Sequence, residues 1–181
     1  PEGIALNGAV YFLPNPFWGW SPPQTLEPRG SGYTEVSTDA EGVELEPETW
    51  DGMLAIHVRG RALLSGERLR IDYGAGPAGA RADRHAEQGE HLWIGVDGDG
   101  DGVRAMLVDS PTIDVLPGPA ERLVIHLSST ARPGELVRVT VAILDAWANA
   151  GVDFVGSVAL EGAPEDWAWP ESIELTAGDR A

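Results

Sequence analysis

His91-Leu92-Trp93-Ile94-Gly95-Val96-Asp97-Gly98-Asp99-Gly100-Asp101-Gly102-Val103-Arg104-Ala105-Met106-Leu107-Val108 is the stretch from which the fold of this chain is read. Two apolar runs flank three aspartates that alternate with glycines. Strand-forming residues on either side of a Gly/Asp cluster mark two strands and the turn between them, so the segment predicts a β-hairpin with the aspartates at its tip.

The same two-residue alternation spreads outward from the hairpin and places one face of each segment inside. Upstream, Tyr33 to Val36, Val43 to Leu45, the trio Leu54, Ile56, Val58 and the trio Leu69, Ile71, Tyr73 read as strands, with Arg68, Arg70 and Asp72 facing out. His57 falls on the outward parity beside Arg59 and reads as a solvent-facing strand histidine, not a ligand. Downstream, Ser110 to Leu116 is another strand, and Pro117-Gly118-Pro119 after it is a domain boundary. A second series follows: Leu123, Ile125, Leu127; Val137, Val139, Val141, Ile143; Val152, Phe154, Val158, Leu160; and Ile173, Leu175. Turns at Arg132-Pro133-Gly134-Glu135 and Asn149-Ala150-Gly151 space these segments as in an immunoglobulin-like sandwich. Helices are nearly absent, since even the best candidate, Ala142 to Asn149, continues a strand pattern, with Trp147 at a core position.

The expectation is an all-β chain of two β-sandwich modules, residues 1–116 and 117–181. The second is immunoglobulin-like, but its four or five strands fall short of the roughly seven such a sandwich needs. Either its last segment pairs with the first module, or the missing strands lie in a longer parent protein.

With 181 residues, 43% of them hydrophobic, the chain can bury a core and is not a disordered tail. Twenty-nine acidic residues against 12 basic ones, all of them Arg, leave a formal charge of −17. Such a surface repels phosphate backbones and anionic membranes, so no nucleic-acid or membrane partner is expected. Cys is absent, which excludes disulfides and thiolate chemistry and leaves the compartment unread. The longest uncharged apolar stretch, Val139 to Leu144, is far shorter than a membrane helix. A chain that begins at Pro1 reads as trimmed, with a removed secretion signal left open.

Near the amino terminus, prolines at 14, 16, 22 and 23 forbid a helix around Phe17-Trp18-Gly19-Trp20. Trp18 and Trp20 allow two readings, a sugar-stacking platform for a carbohydrate ligand or a cover over the open edge of a sandwich. The second is the commoner use of aromatics. Gly74 to Gly89 reads as a polar loop, and loops of this length are often functional. His85, Glu87, Glu90 and His91 are suitable metal ligand types, but their spacing matches no helical pair, and His91 is read as opening a strand, so a solvated loop is the better account.

The strongest chemistry lies in the hairpin. Asp97, Asp99, Asp101 and Gly102 match the first half of a calcium loop, in which carboxylates at positions 1, 3 and 5 converge and Gly at position 6 allows the sharp turn. The twelfth position holds Val108 where an EF-hand has Glu, and the flanks are strands, so an EF-hand is excluded. What stays open is a strand-loop calcium site completed by backbone carbonyls, Asp109 or Glu87, against a plain turn in which Asp caps its own backbone. The plain turn is the commoner case, since glycine and aspartate are the residues such turns prefer, while repulsion among three carboxylates, of which Arg104 can offset one, stands against it unless they are solvated, paired or metal-bound. No nucleophile elbow, His-Glu-x-x-His or phosphate-cradling Gly-Lys-Ser/Thr motif is present.

Several segments together carry a resemblance. Phe17 to Gln24, Ser65 to Gly74, Val96 to Pro111, Pro133-Gly134-Glu135, Val139 to Asp145 and Asn149-Ala150-Gly151 resemble the amino-terminal β-rich region of the domain-of-unknown-function 3604 family, over roughly residues 10–162. In that family the region precedes a portion resembling a metal-dependent hydrolase, whose His and Asp ligand motifs have no counterpart here. The resemblance implies a non-catalytic accessory or interaction module, with a downstream hydrolase domain or a protein as partner and no catalytic residue in this chain. Two alternatives stand beside it: a carbohydrate-binding or calcium-stabilised adhesion module, with Trp147, Trp167 and Trp169 as further stacking candidates, and a hydrolase of phosphate or sulfate esters with metal on Asp97, Asp99 and Asp101.

Overall fold

A computed structural model describes residues 3–17, 19–162, 165 and 167–176. The chain is all-β. Its strands are β1 (Ala9–Leu13), β2 (Thr34–Thr38), β3 (Glu44–Trp50), β4 (Met53–Arg59), β5 (Leu69–Tyr73), β6 (Glu87–His91), β7 (Trp93–Asp97), β8 (Ala105–Met106), β9 (Thr112–Val115), β10 (Arg122–Leu127), β11 (Val139–Leu144), β12 (Gly156–Ala159) and β13 (Ser172–Leu175). They fall into two compact units, Pro1–Val115 and Leu116–Ala181.

In the first unit, β1 is the middle strand of an antiparallel sheet of order β3-β4-β1-β7-β8. Val10 pairs with Ile56 on one side and Val96 on the other. A strand enclosed this way reads as a continuous apolar run, and Ala9, Val10 and Phe12 are buried. β3 and β4 are joined by Asp51-Gly52, with φ of 48° and 78°, the mirror-image turn that suits the twist of a hairpin. Leu54, Ile56 and Val58 of β4 are fully buried. Each contributes about 1.5–3 kcal/mol of apolar transfer.

The antiparallel pair β2–β5 supplies the facing layer, because Val36, Leu69, Ile71 and Tyr73 pack on the cluster of Phe12, Leu54 and Ile56. Phe12 meets Tyr73 edge-on with ring centroids 5.3 Å apart. A second cluster, Ala40, Val43, Val58 and Leu63, closes the end of this core. At the outer edge, β3 carries exposed Glu44, Glu46 and Glu48 and places Pro47 among them, which blunts it against pairing with another chain.

The segment read as an open loop from 74 to 89 ends differently. Glu87 to His91 forms β6 and pairs with β9, with a bulge between Glu87 and Glu90, so His91 closes a strand and β7 begins at Trp93. Backbone pairing with β9 supplies the order that the polar side chains do not announce.

In the second unit, β10 pairs with β11 and β12 with β13, as two separate two-stranded sheets among the described residues. These pairs are not hydrogen-bonded into the larger sheets of an immunoglobulin-like sandwich. β10 is exposed along its whole length. Ala142 to Leu144 completes β11 and gives way to a turn, and Trp147 is 56% exposed, not in a core.

Candidate functional site

The aspartate run is the tip of the β7–β8 hairpin. Asp97 is the last residue of β7 and pairs with Ala9 of β1, so its side chain springs from a strand bonded to the middle of the sheet. It is only 3% exposed, whereas Asp99 and Asp101 lie in the open. Oδ1 of Asp97 accepts the N–H of Gly100 at 2.8 Å and Oδ2 accepts that of Gly102 at 3.0 Å. Asp99 Oδ1 accepts the N–H of Asp101 at 3.3 Å, and Asp101 Oδ1 that of Val103 at 2.7 Å. The loop can wrap around Asp97 because Gly100 and Gly102 adopt φ of 80° and 87°, which side-chain-bearing residues avoid. A further bond, from Ala5 N–H to Gly98 O at 2.8 Å, fastens the tip to the turn before β1.

One carboxylate oxygen from each of Asp97, Asp99 and Asp101 lies within 4.8 Å of the others. Hard oxygen donors in this number suit calcium or magnesium, with backbone carbonyls and water needed to complete six to eight ligands for calcium. Among the described residues this is the group of three or more ligand side chains that converges, and neither Asp109 nor Glu87 belongs to it. Among the described residues Arg104 forms no ion pair with these carboxylates. Its guanidinium lies 4.9 Å over the Tyr11 ring, a cation–π contact that turns it onto the sheet.

Trp20 is half-buried, and its Nε1–H donates to Asp83 Oδ2 at 3.2 Å. Asp83 is itself buried and accepts the His85 N–H at 2.6 Å. Ser21 Oγ accepts the Arg81 N–H at 2.9 Å, and the Tyr73 hydroxyl donates to the Ser21 carbonyl. Burial pushes the Tyr73 phenol up, with the hydrogen bond to Ser21 and the charge of Arg81 acting against it. Residues 19–21 are thus stitched to 81–85. Trp18 lies outside the described residues.

His85, Glu87, Glu90 and His91 do not converge as a ligand set. The Glu87 and Glu90 carboxyls touch instead, and Glu90 Oε1 accepts the side-chain amide of Asn15 at 3.0 Å. The hydrogen bond to Glu90, followed by burial and the charges of Glu90 and Asp83, pushes Glu87 up, and His85 acts against this. His91 stacks on Trp93 at 4.6 Å. His57 lies 3.7 Å from Glu48 Oε2.

Sequence reasoning passed over Asp145, which organises the turn after β11. It is 2% exposed, and its two oxygens accept the N–H groups of Gly118 at 2.8 Å, Trp147 at 2.9 Å and Asn149 at 2.9 Å, plus the Asn149 amide at 2.8 Å. Its signal was an Asp at the end of an apolar run followed by Asn149-Ala150-Gly151, a side chain placed to cap its own turn. Compared with known proteins, the chain matches no family model, no curated protein and no solved structure.

Proposed function

We propose that this chain is a non-catalytic accessory or interaction module whose β7–β8 loop is closed by a calcium ion on Asp97, Asp99 and Asp101. The observation that supports this is the convergence of three carboxylates on a loop whose first aspartate is already fixed by two backbone donors. Bringing three like charges together is unfavourable unless solvent, hydrogen bonds or a cation compensates them, and a cation compensates all three at once. Calcium suits the loop better than magnesium, since it tolerates irregular sets of backbone, carboxylate and water oxygens where magnesium demands a near-ideal octahedron.

The accessory role is supported by where the carboxylates stand. Asp99 and Asp101 are exposed at a hairpin tip, whereas catalytic chemistry needs walls that exclude water. The resemblance to the domain-of-unknown-function 3604 family gives the role a context, that of a β module carried beside a hydrolase portion. Melting the whole chain in millimolar calcium and in chelator tests the reading. At 100 times the dissociation constant calcium adds about 2.7 kcal/mol to the stability of the state that binds it. An unchanged melting temperature overturns the proposal, and divalent-dependent hydrolysis of a phosphate or sulfate ester that is lost in Asp97→Asn would replace it with the hydrolase reading.

A further inference from the structure

The second unit has a recess of about 290 Å³ between the segments Gly118–Glu121 and Asp145–Trp147. Its floor is Asp145, whose two oxygens are engaged by four N–H donors from Gly118, Trp147 and Asn149. A carboxylate so engaged has no acceptor capacity left for a ligand and acts as scaffold. Glu121 is set on the other wall by the bond from its N–H to Leu144 O at 2.9 Å.

Trp147 stands on the rim at 56% exposure. Ala148 directly after it holds φ of 69°, a left-handed conformation that a residue bearing a Cβ avoids. Strain of this kind persists where surrounding bonds impose it, and it gathers at sites of ligand contact. Here those bonds are Ala148 N–H to Asp145 O and Asp145 N–H to Asn149 O, both at 3.1 Å, and together with the Asp145 carboxylate they hold the turn that carries the indole.

We propose that this recess binds a neutral pyranose ring, stacked on Trp147 and hydrogen-bonded through its hydroxyls to the Glu121 carboxylate. An indole face is apolar and carries a negative quadrupole, which suits the polarised C–H face of a sugar. With Asp145 engaged, Glu121 is the carboxylate left to accept hydroxyl protons. A chain charge of −17 disfavours uronic or sulfated sugars and phosphates, which selects a neutral ligand. The recess is slightly smaller than the usual small-molecule cleft of about 300–1,000 Å³, which fits one ring and weak binding. The site is independent of calcium on the aspartate loop.

The test is a two-dimensional NMR titration of the full chain with cellohexaose, xylohexaose, mannohexaose, maltohexaose and chitohexaose to about 10 mM, where millimolar affinity is detectable. Repeating it in calcium and in chelator separates this site from the aspartate loop. At least one of these is expected to move the Trp147 indole N–H and the Gly118 amide saturably. Trp147→Ala should weaken that binding about tenfold or more, Trp147→Phe should retain part of it through its remaining ring, and Glu121→Gln should weaken it with Trp147 unchanged. Unshifted Gly118 and Asn149 amides in ligand-free Trp147→Ala show that the turn is intact. The proposal is overturned if no oligosaccharide moves the Trp147 resonance, if the shifts survive Trp147→Ala, or if tetramethylammonium or a proline hexapeptide binds there in preference.

Discussion

Gly102 donates its backbone N–H to Oδ2 of Asp97 across 3.0 Å, which ties the far end of the acidic loop to the last residue of β7. Gly100 does the same to Oδ1 at 2.8 Å. Asp97 is therefore the organiser of the loop, and Asp99 and Asp101 are the arms that a cation would draw in. This division of labour predicts different outcomes for the three carboxylates. In chelator, Asp97→Ala is expected to destabilise the chain by about 1.5–3 kcal/mol, the range for hydrogen bonds to a charged acceptor. Asp99→Asn with Asp101→Asn should stay within about 0.5 kcal/mol in chelator, yet abolish the rise in melting temperature on adding calcium. Retention of that rise in the double variant would remove these two residues from the site.

Arg61 grips Glu67 with two 2.7 Å bonds, one to each oxygen, and Leu64 N–H adds a third at 2.8 Å. The Arg61 hydrogen bonds first, then the Leu64 N–H, hold the Glu67 carboxyl down at about 2, with burial acting against them. A depressed native value means that its contribution to stability is whole above the ordinary value of 4.5 and is lost as pH falls toward 2. The Glu67 carboxyl carbon resonance should titrate near the lower value, and Glu67→Gln should flatten the acid limb of the stability curve. Native titration at the ordinary glutamate value would refute the grip.

Glu87 carries the opposite sign. Its carboxyl is pushed up, first by the hydrogen bond to Glu90, so its stabilising effect is present below its unfolded value and fades as pH rises through the native one. Glu87→Gln is expected to leave stability in acid unchanged and to raise it at neutral pH, measured by chemical denaturation at the two pH values. A loss at neutral pH would count against the hydrogen bond between the two carboxyls.

Gly32 and Gly52 form a matched pair, since both have φ of 78°. An alanine Cβ at Gly32 would lie 2.2 Å from the Pro22 carbonyl oxygen, while at Gly52 it would meet nothing within 4 Å. Gly52→Ala should cost about 1–2 kcal/mol, the strain of a left-handed alanine. Gly32→Ala should cost that and more, because the backbone of Pro22 must shift. Equal losses in urea melts would show that the clash is relieved at no cost.

Asp145 is held at about 2, because bonds from the Asn149 amide and from the N–H groups of Gly118, Asn149 and Trp147 outweigh the burial that would raise it. Asp145→Ala leaves those donors without their acceptor at about 1–3 kcal/mol for each one that stays buried. The amides of Gly118 and Asn149 should then exchange markedly faster with solvent, and the same opening should set in for the unaltered chain as pH falls toward 2. Unchanged exchange would show that the turn does not depend on the carboxylate.

The strands that alternation marked are those whose order is set by neighbours a few residues away. Leu54, Ile56 and Val58 announce β4 because the buried face recurs every second residue, and Gly98 to Gly102 announces a turn because glycine and aspartate are what such a turn requires. β6 escaped notice since Glu87, Gln88, Gly89, Glu90 and His91 have no apolar period, and its order comes from pairing with β9. Trp147 misled for a related reason. Its residue type argues for burial, and it is carried outward by a turn whose bonds centre on a residue two positions earlier.

By itself the sequence determined an all-β chain and a hairpin tip that carries three aspartates, because strand period and turn composition are local properties of the chain. Only the tertiary structure decided that β1 runs between β4 and β7, that β2–β5 covers the core, that Arg104 lies over the Tyr11 ring, and that Asp145 gathers four donors in the turn that carries an exposed indole. Those choices depend on residues far apart in sequence competing for the same apolar faces and hydrogen bonds. No local pattern ranks such competitors.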